Sequence, residues 1–404
     1  MTGVSRKRHP SFHLESTMTN QQDDFRAVVM QVRDDLGAGR AAQALQNLIR
    51  VPPETLAPSL QTEHFLLQAA ALRMLSRPED ELQALQAALV IDAYCWPALL
   101  QKAELHERQG KTKAAALYYR DALKISPPPE YRPEVFKKPL AHAERVVEMY
   151  AEALEMTLLQ AIDGSSGLSQ RWREAVSIMS GRTQPYVSVC NQLTVPRLPA
   201  QPFFRREMFD WVPELEKRTP EIRAEMIAAL GEAADEFQPY VQYAPGDPVN
   251  QWAELNHSRQ WTSFHLYRGG QPVPQNIERC PRTVEALKLI DAVHLAGTCP
   301  NVMFSVLQPK AKIPPHHGES NARLVAHLPL VVPDNCLFRV GYDNRRWVEG
   351  EVLIFDDTIE HEAWNDSDEI RVVMLFDVWN PLLSLEERAI VQKMAEAERA
   401  FRLG

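Results

Sequence analysis

Residues 314–323 read PPHHGESNAR and residues 354–364 read IFDDTIEHEAW, and the fold prediction starts from these two segments. Each segment places a histidine, His316 or His361, at the end of a strand-like run, where a barrel carries side chains at its mouth. Two imidazoles about 45 residues apart on such strands are suited to share one divalent metal ion. From these residues alone, a hydrogen-bonded core or surface histidine is the alternative at each position.

The sequence around these segments is rich in short strand patterns. After Trp252, alternation with a period of two predicts strands at 261–267, 302–307, 323–332, 337–340, 352–355 and 371–378. Many short strands separated by turn residues are typical of a β-sandwich, a jelly roll or a barrel. We therefore predict that residues 201–404 form an all-β core with flanking helices.

The N-terminal half has a helical pattern, rich in alanine, leucine and glutamine. Ala88 and Ala122 lie 34 residues apart, and Leu85 and Tyr119 precede them by three positions. Because this period resembles the tetratricopeptide repeat of paired helices, residues 25–127 are predicted to be tetratricopeptide-like, with a plain helical domain as the alternative. Residues 1–24 are predicted to be a disordered lead, and residues 128–200 a long helix and a linker.

Composition argues against several classes of protein. Hydrophobic residues at 45% and charged residues at 24% are typical of a folded globular chain. A net charge of −9 argues against binding to nucleic acid, and no apolar stretch approaches the roughly 20 residues of a membrane helix. Five widely spaced cysteines exclude a disulfide framework and predict a cytoplasmic protein.

From about residue 209 to residue 388 the sequence resembles the aspartyl/asparaginyl β-hydroxylase family. The motif His-x-Gly-x-x-Asn-x-Arg-Leu-x-x-His-Leu begins at His316, and Gly-x-Val-Leu-x-Phe-Asp-Asp-x-x-x-His-Glu-x-Trp begins at Gly350. The resemblance implies an iron(II)- and 2-oxoglutarate-dependent oxygenase on a double-stranded β-helix. The whole chain is thus predicted to be an α+β multidomain protein, in which tetratricopeptide-like helices precede a cupin-like jelly-roll catalytic domain.

The resemblance also implies the metal ligands. It places His316 and His361 on the iron as neutral imidazoles. Most oxygenases of the larger class add a carboxylate two residues after the first histidine, but this position is Gly318 here. The family likewise lacks that acid, which leaves a coordination site for water.

Three residues match the family's contacts to 2-oxoglutarate, namely Arg371, Ser305 and His327. The planar guanidinium of Arg371 suits a carboxylate. The best-known animal members carry a second arginine two residues before His327, where this chain has Val325. Arg323 lies on the same strand face and is our candidate to replace that arginine.

The implied reaction uses iron(II), 2-oxoglutarate and O₂ to hydroxylate the β-carbon of an Asp or Asn residue in a peptide or protein. The helical repeats offer a surface to hold that substrate, and neither nucleic acid nor membrane is expected as a partner. The alternatives are hydroxylation of a lipid acyl chain or of a small peptide natural product, or a non-catalytic repeat scaffold with a metal- or ligand-binding β-domain. The oligomeric state stays open.

Overall fold

A computed structural model describes residues 25–162 and 169–403. The chain divides into two compact units between Gln184 and Pro185. The predicted disordered lead at 1–24 lies outside the described residues, as do residues 163–168 of the predicted linker.

The N-terminal unit is built from helices that pack in sequence order. They comprise residues 25–37 (α1), Ala41–Ile49 (α2), Pro58–Met74 (α3), Pro78–Ile91 (α4), Trp96–Arg108 (α5), Thr112–Ile125 (α6), Glu134–Ile162 (α7) and Gln170–Ser180 (α8). Helix α8 lies where the sequence predicted a linker, and Gly181, whose φ of 87° is left-handed, caps its C-terminus.

The 34-residue period corresponds to helix pairs, α3 with α4 and α5 with α6. Leu85 and Tyr119, which are equivalent in the two copies, are both fully buried. Ser76 and Gly110 occupy equivalent turns between the paired helices, and both have a left-handed φ, 57° and 74°. The recurrence of the same turn and the same buried position is what stacked helical repeats require.

The C-terminal unit contains two antiparallel sheets. Its strands are Phe203–Phe204 (β1), Gln238–Pro239 (β2), Trp261–Arg268 (β3), Gln271–Pro272 (β4), Val302–Leu307 (β5), Lys312–His316 (β6), Arg323–Val331 (β7), Cys336–Val340 (β8), Asp343–Arg345 (β9), Leu353–Phe355 (β10), His361–Asn365 (β11) and Arg371–Trp379 (β12). The large sheet has the order β1-β10-β7-β12-β5-β3-β2, with β4 paired to β3, and the small sheet has the order β6-β11-β8-β9.

Each face of the large sheet has its own apolar cluster. Phe264, Phe304 and Met374 belong to the cluster that includes residues of helices Val212–Lys217 (α9), Thr219–Glu232 (α10) and Pro281–Leu287 (α12). Val325 and Val373 belong to the cluster shared with the small sheet. The remaining helices are Pro274–Arg279 (α11) and Leu385–Leu403 (α13). Two facing sheets with flanking helices confirm the predicted jelly-roll class.

Two strands that carry the central histidines were not predicted. Strand β6 contains Pro314 and Pro315, which cannot donate backbone hydrogen bonds and are tolerated because β6 is an edge strand. His361 opens strand β11, whereas the sequence placed it after a run ending at residue 355. Within 25–162 and 169–403, no helix has the length and apolar character to cross a membrane.

Candidate active site

The two predicted metal ligands lie directly opposite each other. Strands β6 and β11 pair antiparallel, and their register makes His316 and His361 partners. The two imidazole ring centroids are 4.0 Å apart. The histidines that lie 45 residues apart in the sequence are thus brought together by a single strand pair.

Backbone carbonyls determine which ring nitrogen of each histidine carries the proton. His316 Nδ1 lies 2.8 Å from the carbonyl oxygen of Pro314, and His361 Nδ1 lies 3.0 Å from that of Ile359. Because a carbonyl can only accept, each Nδ1 donates, and each neutral ring keeps the lone pair on Nε2. Burial, and then the neighbouring His361, lowers the pKa of His316 to about 3, and burial lowers the pKa of His361 to about 4. Both rings are therefore neutral at pH 7 and suited to a divalent metal.

Gly318, the position without a ligand side chain, lies against Asp357. Its amide donates to the Asp357 carbonyl at 2.6 Å, and a Cβ at Gly318 would overlap the Asp357 carboxylate. Asp357 Oδ1 is buried and has no hydrogen-bond partner. Among the described residues, no group of three or more His, Cys, Asp or Glu side chains is arranged to hold a metal ion. The histidine pair thus stands without a third protein ligand, and a carboxylate fills the space beside it.

Arg371 is the largest fully buried side chain of the unit, at 2% exposure. Burial lowers the pKa of Arg371 to about 10, and its Nε has no hydrogen-bond partner. Its guanidinium lies over the Trp347 ring, 4.9 Å from the ring centre. No ion pair joins Arg371 to any acidic side chain within 25–162 and 169–403. A buried cation with no counter-charge suits an anionic ligand.

Strand register places the other two predicted cosubstrate contacts on the face that carries Arg371. Ser305 pairs with Val373, and His327 pairs with Leu375, so both lie in register with the strand that begins at Arg371. The Ser305 hydroxyl accepts a hydrogen bond of 3.0 Å from the Trp261 indole, which leaves its own proton free to donate.

One cavity of about 570 Å³ joins the histidine pair to this face. Its lining includes every residue that the sequence analysis assigned to the site: His316, His361, Ser305, His327, Arg371 and Arg323. Such a volume falls in the range of small-molecule sites.

The environment of Arg323 argues against its predicted role in holding the cosubstrate. Its guanidinium pairs with Asp357 at 3.0 Å, and with Asp377 and Glu319 at 3.4 Å each. Three carboxylates already balance its charge, whereas no acidic side chain in the described part of the chain pairs with Arg371. Val325, at the position that the resemblance matched to a second arginine, is an apolar part of the cavity wall.

Comparison with known proteins agrees with the motifs. Residues 216–381 match the family model described as aspartyl/asparaginyl beta-hydroxylase. The predicted resemblance to this family is thereby confirmed for these residues of the C-terminal unit.

Three relatives show the range of this family. An ornithine lipid ester-linked acyl 2-hydroxylase of Rhizobium tropici is 35% identical over 195 residues, which are 48% of this chain and 65% of that protein. Human aspartyl/asparaginyl beta-hydroxylase is 31% identical over 180 residues, 44% of this chain and 22% of that protein. Human aspartate beta-hydroxylase domain-containing protein 2 is 29% identical over 211 residues, 51% of this chain and 54% of that protein. The chain therefore spans less than two thirds of each of these relatives.

Sequence reasoning missed two residues of the cavity. Trp347 and Trp261 line the cavity and donate to His327 and Ser305, respectively. Trp261 was assigned only to a strand, and Trp347 lies in a loop with no periodic pattern. A tryptophan in a polar segment such as NRRWVEG is the one signal that points to a buried anchor there.

Proposed function

We propose that the C-terminal unit is an iron(II)- and 2-oxoglutarate-dependent dioxygenase that hydroxylates the β-carbon of an Asp or Asn residue in a peptide or protein. The observation that carries this proposal is Arg371, a buried cation without an acidic partner among the described residues, in one cavity with two histidines whose Nε2 atoms are free. A dicarboxylate that chelates a metal at one end and offers a carboxylate at the other has the matching chemistry.

The residues present fit an iron(II) site. His316 and His361 would hold the ion through Nε2, and neutral imidazoles suit this metal. The unpaired Asp357 Oδ1 supports a role as acceptor for a water ligand of the metal. The overlap of any side chain at Gly318 with that carboxylate gives a physical reason for glycine there.

When bound, iron(II) and 2-oxoglutarate supply the oxidising chemistry, which consumes O₂ and releases succinate and CO₂. The residues of the chain bind and orient. Arg371 and Ser305 hold the far carboxylate through charge-assisted and hydroxyl hydrogen bonds. The aromatic wall excludes water and strengthens these contacts; it includes Trp261, Phe338 and Phe355.

The peptide substrate is supported by the relatives named for aspartyl and asparaginyl hydroxylation. In this proposal the N-terminal helices hold the peptide, and the protein works in the cytoplasm, where its five unpaired cysteines stay reduced. A second candidate, hydroxylation of a lipid acyl chain, is favoured by the apolar Val325 in the cavity wall and by the Rhizobium relative.

An anaerobic titration with iron(II) and 2-oxoglutarate tests the reaction. We expect a metal-to-ligand charge-transfer band, and succinate when O₂ is admitted. The product is then located by the mass of one added oxygen, first in peptides with a central Asp or Asn and then in lipid extracts. Oxygen found only on lipid would favour the second candidate. Absence of both band and succinate would leave a non-catalytic scaffold.

A further inference from the structure

Trp347 contacts two of the residues assigned to the cosubstrate. It lies in the loop between β9 and β10, with 5% of its surface exposed. Its indole Nε1 donates to His327 Nδ1 at 3.1 Å, and its ring lies 4.9 Å from the Arg371 guanidinium. Phe338 stacks on the indole with ring centroids 5.2 Å apart and an interplanar angle of 21°, which restrains the ring.

The hydrogen bond from Trp347 determines what His327 offers to the cavity. An indole N–H can only donate, so His327 Nδ1 must be the acceptor. The single proton of the neutral ring is then on Nε2, which makes His327 a hydrogen-bond donor. Burial, together with the charge of Arg371, lowers the pKa of His327 well below its ordinary value and supports this neutral form.

The indole face also stabilises Arg371 without satisfying its charge. A cation over the face of a tryptophan is attracted by the ring, yet no proton donor of the guanidinium is used. An acidic residue at this place would instead neutralise Arg371, as Asp357 and Asp377 neutralise Arg323. It would also compete with a ligand carboxylate for the guanidinium. Because Val325 carries no charge, the guanidinium that the Trp347 ring stabilises is that of Arg371 alone.

We propose that Trp347 is the positioning residue of the 2-oxoglutarate end of the site: it fixes His327 as an Nε2–H donor and holds Arg371 charged and uncommitted. This inference rests on the proposed function. It predicts that changes at Trp347 alter the affinity for the cosubstrate and leave the metal and the rate at saturating cosubstrate largely unaffected.

Replacement of Trp347 by phenylalanine keeps an aromatic face and removes the donor. We expect the KM for 2-oxoglutarate to rise about two- to tenfold, the effect of one neutral hydrogen bond, with kcat and bound iron near their wild-type values. Trp347→Leu also removes the ring face and should raise KM further. Trp364→Phe is the matched control, since Trp364 contacts Lys312 and does not line the cavity.

A double-mutant cycle separates positioning from general packing. In a His327→Leu background, Trp347→Phe should have no further effect on KM, because leucine has no acceptor for the indole N–H. Equal effects of Trp347→Phe in both backgrounds would show that it acts independently of His327 and would overturn the inference.

A measurement on the unchanged chain covers the case in which the variants fold poorly. Nitrogen-15 NMR of histidine-labelled apoprotein should show His327 protonated on Nε2 and not on Nδ1; the reverse tautomer would refute the inference. Wild-type protein without a charge-transfer band would refute the proposed function and the inference with it. A normal band together with an unchanged KM in Trp347→Phe would refute the inference alone.

Discussion

The two ends of the cavity each hold one buried arginine, and the two arginines are in opposite electrostatic settings. At the end that contains the histidine pair, which we call the metal end, Arg323 pairs with Asp357, Asp377 and Glu319. At the cosubstrate end, Arg371 has an indole face and no acidic partner among the described residues. Residue type and burial are the same, so neither identifies a ligand-binding residue. The presence or absence of counter-charge does, since it decides whether the cation is already satisfied.

The largest effect is expected at the metal end, on the amount of bound iron. His316→Ala or His361→Ala should reduce bound iron(II) from one per chain to none, because one imidazole cannot hold the ion that two share. Metal analysis of purified variants, with circular dichroism to verify folding, checks this. His294→Ala is the control, since His294 lies outside the cavity lining. Undiminished iron in both single variants would contradict the assignment.

Gly318→Asp adds a Cβ that would overlap the Asp357 carboxylate. We expect this variant to lose most of its iron or to unfold, because Asp357 must move and a second carboxylate is brought close to it. Adding Asp357→Gly should restore iron binding, since it removes the overlap. Iron content of the single and double variants decides the matter, and normal iron in Gly318→Asp alone would contradict the close approach.

The comparison of the two arginines is tested by their effects on stability. Arg323→Met should lower the free energy of unfolding by about 3–5 kcal/mol, because it leaves buried carboxylates without their cation. Arg371→Met should change it by no more than about 2 kcal/mol, because it removes the contact with the Trp347 ring but breaks no ion pair among the described residues. Urea unfolding followed by tryptophan fluorescence measures both, and equal losses would remove the distinction between the two ends.

The same substitution at the cosubstrate end should show its effect on ligand binding. Arg371→Met should weaken 2-oxoglutarate binding about ten- to a hundredfold, which corresponds to a charge-assisted bond of about 1.5–3 kcal/mol, while iron occupancy stays unchanged. Anaerobic titration of the charge-transfer band measures it. Arg345→Met is the control, because Arg345 is half-buried over Phe203 and outside the cavity lining. Unchanged affinity in Arg371→Met would place the anchor elsewhere.

The most gradual effect concerns His265, which lines the cavity and has no ion pair with an acidic side chain among the described residues. Burial, and then Arg268, lowers the pKa of His265 to about 4, against about 6.5 when unfolded. Between these values only the unfolded chain binds the proton, so the free energy of unfolding falls as pH drops from 6.5 towards 4. This group contributes at most about 1.4 kcal/mol per pH unit. His265→Gln should flatten the pH dependence of urea unfolding, and an identical slope would contradict this.

Local periodicity made the predictions about single strands reliable. Arg371 and Asp377 lie on one face of β12 because side chains alternate along a strand, and this parity is visible in the sequence. The helical repeat was visible for the same reason, since Leu85 and Tyr119 recur at one period. Strand β6 was missed because its two prolines contradict the local strand pattern, and only its position at a sheet edge makes them acceptable.

The sequence by itself determined which residues carry the chemistry: the histidine of each motif, the glycine between them and the arginine that begins β12. These are statements about residue type and spacing within one segment. Only the tertiary structure decided which arginine is already paired, because two of the three carboxylates around Arg323, those of Asp357 and Asp377, come from other segments of the chain. The tertiary structure also decided that Trp347 donates to His327, which lies 20 residues earlier in the chain. Strands β8 and β9 separate the two residues in the sequence. Charge pairing and hydrogen bonding depend on distances in the folded chain, and strand register sets those distances.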